Sequence, residues 1–307
     1  MTIQDSERLA PIEPPSGSVD SVTPAAASPS SIRLMLRAVR TSRSGLAGAL
    51  ILLALFAFCF IGPLIYPTNQ TDVDPLNAAL PPGGGHPLGT DTNGFDVLGR
   101  LMVGGQVSLQ IGALAALVAI VIGTVYGAVA GLLGGAVDGF MMRMVDILMA
   151  VPFLFFVLIL SARFQATPLT LSLVIGGFSW LFVSRLIRGE VLSLRVREFV
   201  VAARLMGASN GRLVFTHLIP NTLGVVIVNI TCQVADAILL VAALGFLGFG
   251  LTYPVTDWGS QLSSGVTYIA AGYWWLIYPV GACIVLTVLA LNLLGDALRE
   301  SADRRSA

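Results

Sequence analysis

The side chains that most often carry enzymatic and metal chemistry are scarce in this sequence and widely scattered. There are two histidines, His86 and His217, and three cysteines, Cys59, Cys232 and Cys283. All 17 basic residues are arginine. Without lysine there is neither a Walker A phosphate loop nor a Schiff-base nucleophile. Neither histidine has the partners of a hydrolytic triad or a metal set beside it in the sequence. The cysteines sit in apolar runs, where they read as small buried hydrophobes. More informative is a set of polar residues stranded in apolar sequence. Asn229, Gln233 and Asp236 follow spacings of four and three, which on a helix makes one stripe. Such a stripe faces a wet pathway or a partner subunit, or makes a structural hydrogen bond between helices. The stripe could also lie at a span end that reaches headgroup water.

A second constellation lies just before that stripe, in the loop 188–221. From Arg197 to Met206 the apolar positions Phe199, Val200, Ala203 and Met206 have helical spacing. Gly207 is a natural helix stop and Ser209 a natural cap for a second helix. Pro220 allows a sharp entry into the next apolar run. The loop therefore predicts a helix, a glycine corner and another helix. A short helix with an exposed apolar face either docks into a partner groove or rests on lipid headgroups.

The elements that position these residues can be read from composition. Of 307 residues 55% are hydrophobic and 11% charged, with mean hydropathy +0.85. Such a chain is an all-α integral membrane protein rather than a soluble globule. Charge-free or charge-poor stretches mark six transmembrane helices near 45–66, 107–132, 140–161 (with Arg143 and Asp146 near its start), 167–187, 222–250 (with Asp236) and 272–294. In the second, Gly123, Gly127 and Gly131 form a small-residue ridge for close helix packing. Near the third, Asp138, Arg143 and Asp146 are expected to form a local charge network. Every arginine except Arg100 and Arg163 falls on one side of this arrangement. The positive-inside rule then places both termini and the loop 188–221 in the cytoplasm of a cell membrane, with 67–106 outside. The expected organisation is a disordered tail 1–31, an amino-terminal segment 32–70 with the first span, an extracytoplasmic segment 71–106, a core 107–296 and a cytoplasmic tail 297–307. Ser, Pro and Ala dominate the first of these.

Several motifs resemble one family. Ala202-Ala203-xxx-Gly207, with Ile219-Pro220 downstream, resembles the EAA loop of ABC-importer permeases. Its first position, usually glutamate, is Val201 here, and Glu198 lies out of register. The segments His86–Asp91, Gly94–Leu101, Met142–Asp146, Phe246–Gly250, Trp258–Ser260 and Asn292–Arg299 resemble dipeptide and oligopeptide permeases of the C-subunit type. Relatives often carry glutamate where Val241 stands. The resemblance covers roughly 32–300 and implies the type I ABC-importer permease fold.

It also implies a function. The chain would be the membrane subunit of an ATP-driven importer of di- or oligopeptides, not itself an enzyme. Its partners would be a second homologous permease, two ATP-binding subunits or one fused ATPase, an extracytoplasmic substrate-binding protein and membrane lipid, with no nucleic acid. ATP and Mg2+ would belong to the ATPase, leaving this chain without a cofactor. Coupling would run through Glu198, Val201, Ala202, Ala203, Met206, Gly207, Ala208 and Arg212. The path would include Asn229, Gln233 and Asp236. The same scaffold could serve nickel chelates or glycosides. A secondary transporter is the reading from another class, disfavoured by few buried charges and no obvious paired broken helices.

Overall fold

A computed structural model describes residues 40 and 42–303, except 69–71, 164–165 and 252. The expected tail 1–31 and the chain end from residue 304 lie outside the described residues. Among those described there is no strand beyond two isolated bridges, Gly83 to His86 and Thr90 to Asp96.

Nine helices organise the described residues: α1 (Arg43–Phe60), α2 (Val97–Leu133), α3 (Gly135–Met149), α4 (Phe153–Arg163), α5 (Pro168–Leu194), α6 (Glu198–Leu205), α7 (Asn210–Phe246), α8 (Trp258–Val266) and α9 (Tyr278–Asp303). Five helical segments are long and apolar enough to cross a membrane: α1, α2, α5, α7 and the stretch from Trp274 through most of α9. The third expected span, 140–161, is not one rod. It is the pair α3 and α4, bent by 76° at a break before Phe153. Pro152 lies at that break, where its ring and missing N–H oppose a continuous helix.

The center of the fold is α2, which is longer than its expected span at the amino-terminal end. Asp96 starts it early, its Oδ1 accepting from the Gly99 N–H at 2.7 Å. The glycine ridge packs as expected. A Cβ on Gly123 would meet Trp180 O at 2.8 Å, and one on Gly131 would meet Arg188 O at 3.1 Å. At Gly127 it would press on the Ser184 carbonyl oxygen. The backbones of α2 and α5 thus touch directly, which in lipid supplies dispersion contacts that water exclusion cannot.

The charge network differs from expectation. Asp138, Arg143 and Asp146 do not pair with one another. Asp138 instead grips Arg188 of α5 with both oxygens, at 2.5 Å and 2.6 Å, and Asp146 pairs with Arg185. Asp138 and Arg143, five residues apart, do not share a helix face, and Asp146, although three residues from Arg143, pairs across to α5. α5 runs on to Leu194, so the start of the expected loop is helix.

The motif Trp258-Gly259-Ser260 opens α8. Trp258 is fully buried and donates its indole N–H to Leu101 O at 2.9 Å. Gly259 lies against the backbone of Ala242. Ser260 N–H donates to the Asp257 carboxylate at 3.0 Å. Trp258 thus fills the core, Gly259 allows close approach, and Ser260 offers the N–H that the Asp257 cap accepts.

Candidate functional site: the loop helix and the polar stripe

The predicted helix, corner and helix are present. α6 ends at Leu205 with Met206 as its C-cap, and Gly207 takes φ +85°, a conformation that disfavours side chains. The turn is closed by Gly207 N–H donating to Arg204 O at 3.0 Å and Ala208 N–H donating to Ala203 O at 3.1 Å. This second bond spans six residues, the Schellman pattern. Ser209 then caps α7, accepting from Arg212 N–H at 3.4 Å.

α6 has two faces. Val200 and Ala203 are buried with Leu213, Val214 and Leu218 in the chain's own core, and Ala208 packs on the same cluster. The opposite face carries Val201, Ala202, Leu205 and Met206, all exposed. Leu205 is 84% exposed and Met206 82%. Glu198, Gly207 and Arg212 are also exposed. The coupling candidates therefore divide. Ala203 and Ala208 seat the helix on its own protein, whereas Leu205, not singled out from sequence, joins Val201, Ala202 and Met206 on the outward knob.

Pro220 does not turn the chain. The helix runs through it without a corner, because residues Leu213–Leu218 just before it are π-helical. A wider turn accommodates a residue that lacks an N–H donor. Asn221 adds support, its Nδ2 donating to His217 O at 2.6 Å.

Asn229, Gln233 and Asp236 share one side of α7 but differ in exposure. Gln233 is buried, Asn229 is half-buried and Asp236 is exposed. The Asn229 Oδ1 is buried without a donor, and Asp236 has no hydrogen-bond or ion-pair partner among the described residues. The stripe thus runs from the packed side of the helix to its open flank.

The connection between α1 and α2 holds a cluster that sequence reading missed. Asp96 is buried, and its Oδ2 lies 2.8 Å from His86 Nδ1 and accepts from the Tyr66 hydroxyl at 3.1 Å. Tyr66 also donates to Gly85 O at 2.8 Å. Burial, and then the Asp96 carboxylate, push the Tyr66 hydroxyl above its ordinary value. It therefore remains a donor near neutral pH. His86 and Asp96 each lie in a family-like segment, but nothing in the sequence joined them to Tyr66.

Residues 123–307 match the family model for the binding-protein-dependent transport system inner membrane component. Residues 30–82 match the N-terminal TM domain of oligopeptide transport permease C. The chain is 39% identical to the oligopeptide transport system permease protein OppC of Escherichia coli K12, over 85% of this chain and 87% of that one. It is 36% identical to the dipeptide transport system permease protein DppC of Bacillus subtilis 168, over 87% of this chain and 83% of that one. A putative peptide permease of Brucella suis is 37% identical over 86% and 88%. With its apolar helices and these bacterial relatives, the protein is a multi-pass component of the bacterial plasma membrane. The chain belongs to the binding-protein-dependent inner-membrane components, as an ABC-importer permease subunit of the oligopeptide permease C type.

Proposed function

We propose that this permease imports di- or oligopeptides and that α6 is the element through which a cytoplasmic ATPase moves it. The observation that carries the coupling reading is the outward pair Leu205 and Met206, on a helix whose other face is locked into the core. Two leucine-sized side chains held in water on a rigid support fit a partner groove, with the lock behind them transmitting force. The peptide cargo rests on the names of the relatives. In this reading both termini and α6 are cytoplasmic, and a second homologous permease completes the pathway. Two ATP-binding subunits, or one fused pair, bind ATP and Mg2+, while an extracytoplasmic binding protein delivers cargo. This chain supplies no nucleotide site.

The test is uptake of labelled peptides by the complete complex in proteoliposomes, with ATP inside. Uptake that requires ATP and the binding protein is expected. Transport of a nickel chelate or glycoside in place of peptides would overturn the cargo assignment. ATP hydrolysis by the purified permease chain alone would overturn the division of labour.

The open flank of α7 is the proposed wall of the pathway. An exposed, unpaired carboxylate within a spanning helix is costly against lipid, about 2.5–3.5 kcal/mol, but inexpensive against water. Asp236→Leu is expected to lower uptake about tenfold, roughly 1.4 kcal/mol, at an unchanged membrane level. Unchanged uptake would make Asp236 a bystander.

A further inference from the structure

Arg100, in the first turn of α2, has a side chain only 15% exposed. A guanidinium carries five N–H donors and keeps its charge in proteins. Here it forms no hydrogen bond among the described residues. The nearest carboxylate oxygen, Asp91 Oδ2, stands 3.7 Å from Nε, and Nη1 is buried with no acceptor. The Phe95 ring lies beneath the cation, 4.5 Å from ring center to Cζ, and supplies attraction but no acceptor. Buried donors left unpaired normally cost stability and normally find partners.

The missing acceptor has a place to sit. A half-open cavity of about 30 Å3 adjoins Arg100, lined also by Asp91, Thr92, Gln261, Ser264 and Leu276. That is room for one group the size of a water or a carboxylate. Some of the walls are already engaged. Asp91 Oδ1 accepts from the N–H groups of Asn93 and Phe95 at 2.8 Å and 3.0 Å. Gln261 Nε2 donates to Arg100 O at 2.7 Å. The guanidinium is the one wall group with several donors unspent. Asp91 already balances part of the charge at 3.7 Å; water would accept a bond, whereas a carboxylate would make the stronger, charge-assisted one. No lining residue comes from α7. The cavity belongs to the outer segment, α2, α8 and the approach to α9, away from the flank that carries Asp236.

We propose that this cavity receives one carboxylate, the side chain of an aspartate or glutamate presented by the extracytoplasmic binding protein when it docks. The assignment rests on the outward orientation and the binding-protein partner of the proposed function. The arginine is desolvated in the permease before docking, so the incoming carboxylate gains a strong bond to a group already stripped of water.

The experiment measures docking of the purified binding protein to the complete complex in nanodiscs. Arg100→Met is expected to weaken docking about tenfold or more, with ATPase assembly and undocked hydrolysis unchanged. Ser264→Phe, at an exposed rim position, narrows the cavity while leaving Arg100 in place and is expected to act the same way. Each surface Asp and Glu of the binding protein is then changed to its amide. One such change should weaken docking to the wild-type complex about tenfold and to the Arg100→Met complex not at all. Unchanged docking by both permease variants overturns the proposal, as does additivity of every amide change with Arg100→Met. A loss of transport confined to peptides with a free terminal carboxylate, with docking intact, assigns the cavity to cargo and overturns it equally. A wild-type complex that docks no binding protein overturns the partner reading itself, a separate outcome.

Discussion

Leu205→Asp and Met206→Asp should each leave the permease in the membrane at its normal level and strip it of its ATPase. Both side chains are more than four-fifths exposed, so an acid there meets water and costs the isolated chain little. In a partner groove the same acid is buried without a counter-charge. That costs about 3 kcal/mol, or roughly two orders of magnitude in association. Co-purification of the ATPase and cargo-stimulated hydrolysis are the two readouts. Normal values for both would remove α6 from the coupling path and return it to the membrane surface. Ala203→Asp is the contrast, because Ala203 lies in the chain's own core. It should lower the amount of folded permease. Gly207→Val meets no neighbour within 4 Å, so its cost of about 1–2 kcal/mol is backbone strain at positive φ. Uncoupling without clash is expected. Val201→Glu, on the same outward face, is the companion test: assembly should persist if the ATPase groove offers a donor opposite it and weaken if that part of the groove is apolar.

Gly127→Leu should have the largest effect on the fold itself. The glycine faces the Ser184 carbonyl oxygen of α5, and neighbouring ridge positions meet backbone as well. Backbone cannot rotate out of the way as a side chain can. A leucine therefore forces α2 and α5 apart along their length and frees the close contacts of Gly123 and Gly131 too. Overpacking typically costs about 1–3 kcal/mol, and here the loss of the adjoining contacts adds to it. The expected result is loss of a monodisperse detergent-extracted complex. Gly177→Leu, where nothing lies within 4 Å, serves as the control and should extract normally. Equal behaviour of the two would show that the ridge does not hold these helices together.

Much of this was legible from residues alone. Gly207 and Ser209 announced a stop and a restart because glycine at positive φ and a serine cap act locally. The ridge Gly123, Gly127 and Gly131 announced close packing because three glycines at helical spacing leave a flat face. Hydropathy located the helices, but it could not see the bend between α3 and α4, since the two halves, although α3 is the more polar, together still read as one apolar stretch. Nor could it separate Ala203 from Leu205, because which face of a short helix turns inward is set by Leu213 and Leu218 after the corner. The partners of Asp138 and the gathering of Tyr66, His86 and Asp96 are long-range pairings. No spacing rule reaches across such distances. Pro220 misled for a related reason, because a π-turn makes room for a proline and leaves no composition signal.

That π-turn has a mechanical consequence. Because α7 does not break, its first residues beside the α6 corner and Asp236 far along it belong to one beam. At about 1.5 Å per residue, its 37 residues reach roughly 55 Å, well beyond the hydrocarbon thickness of about 30 Å. A tug at the near end has no hinge in which to dissipate, apart from one turn of looser winding at Leu213–Leu218. Displacement of α6 would therefore arrive at the carboxylate as tilt of the whole shaft, and the widened turn would set how much of the stroke is lost to twist on the way.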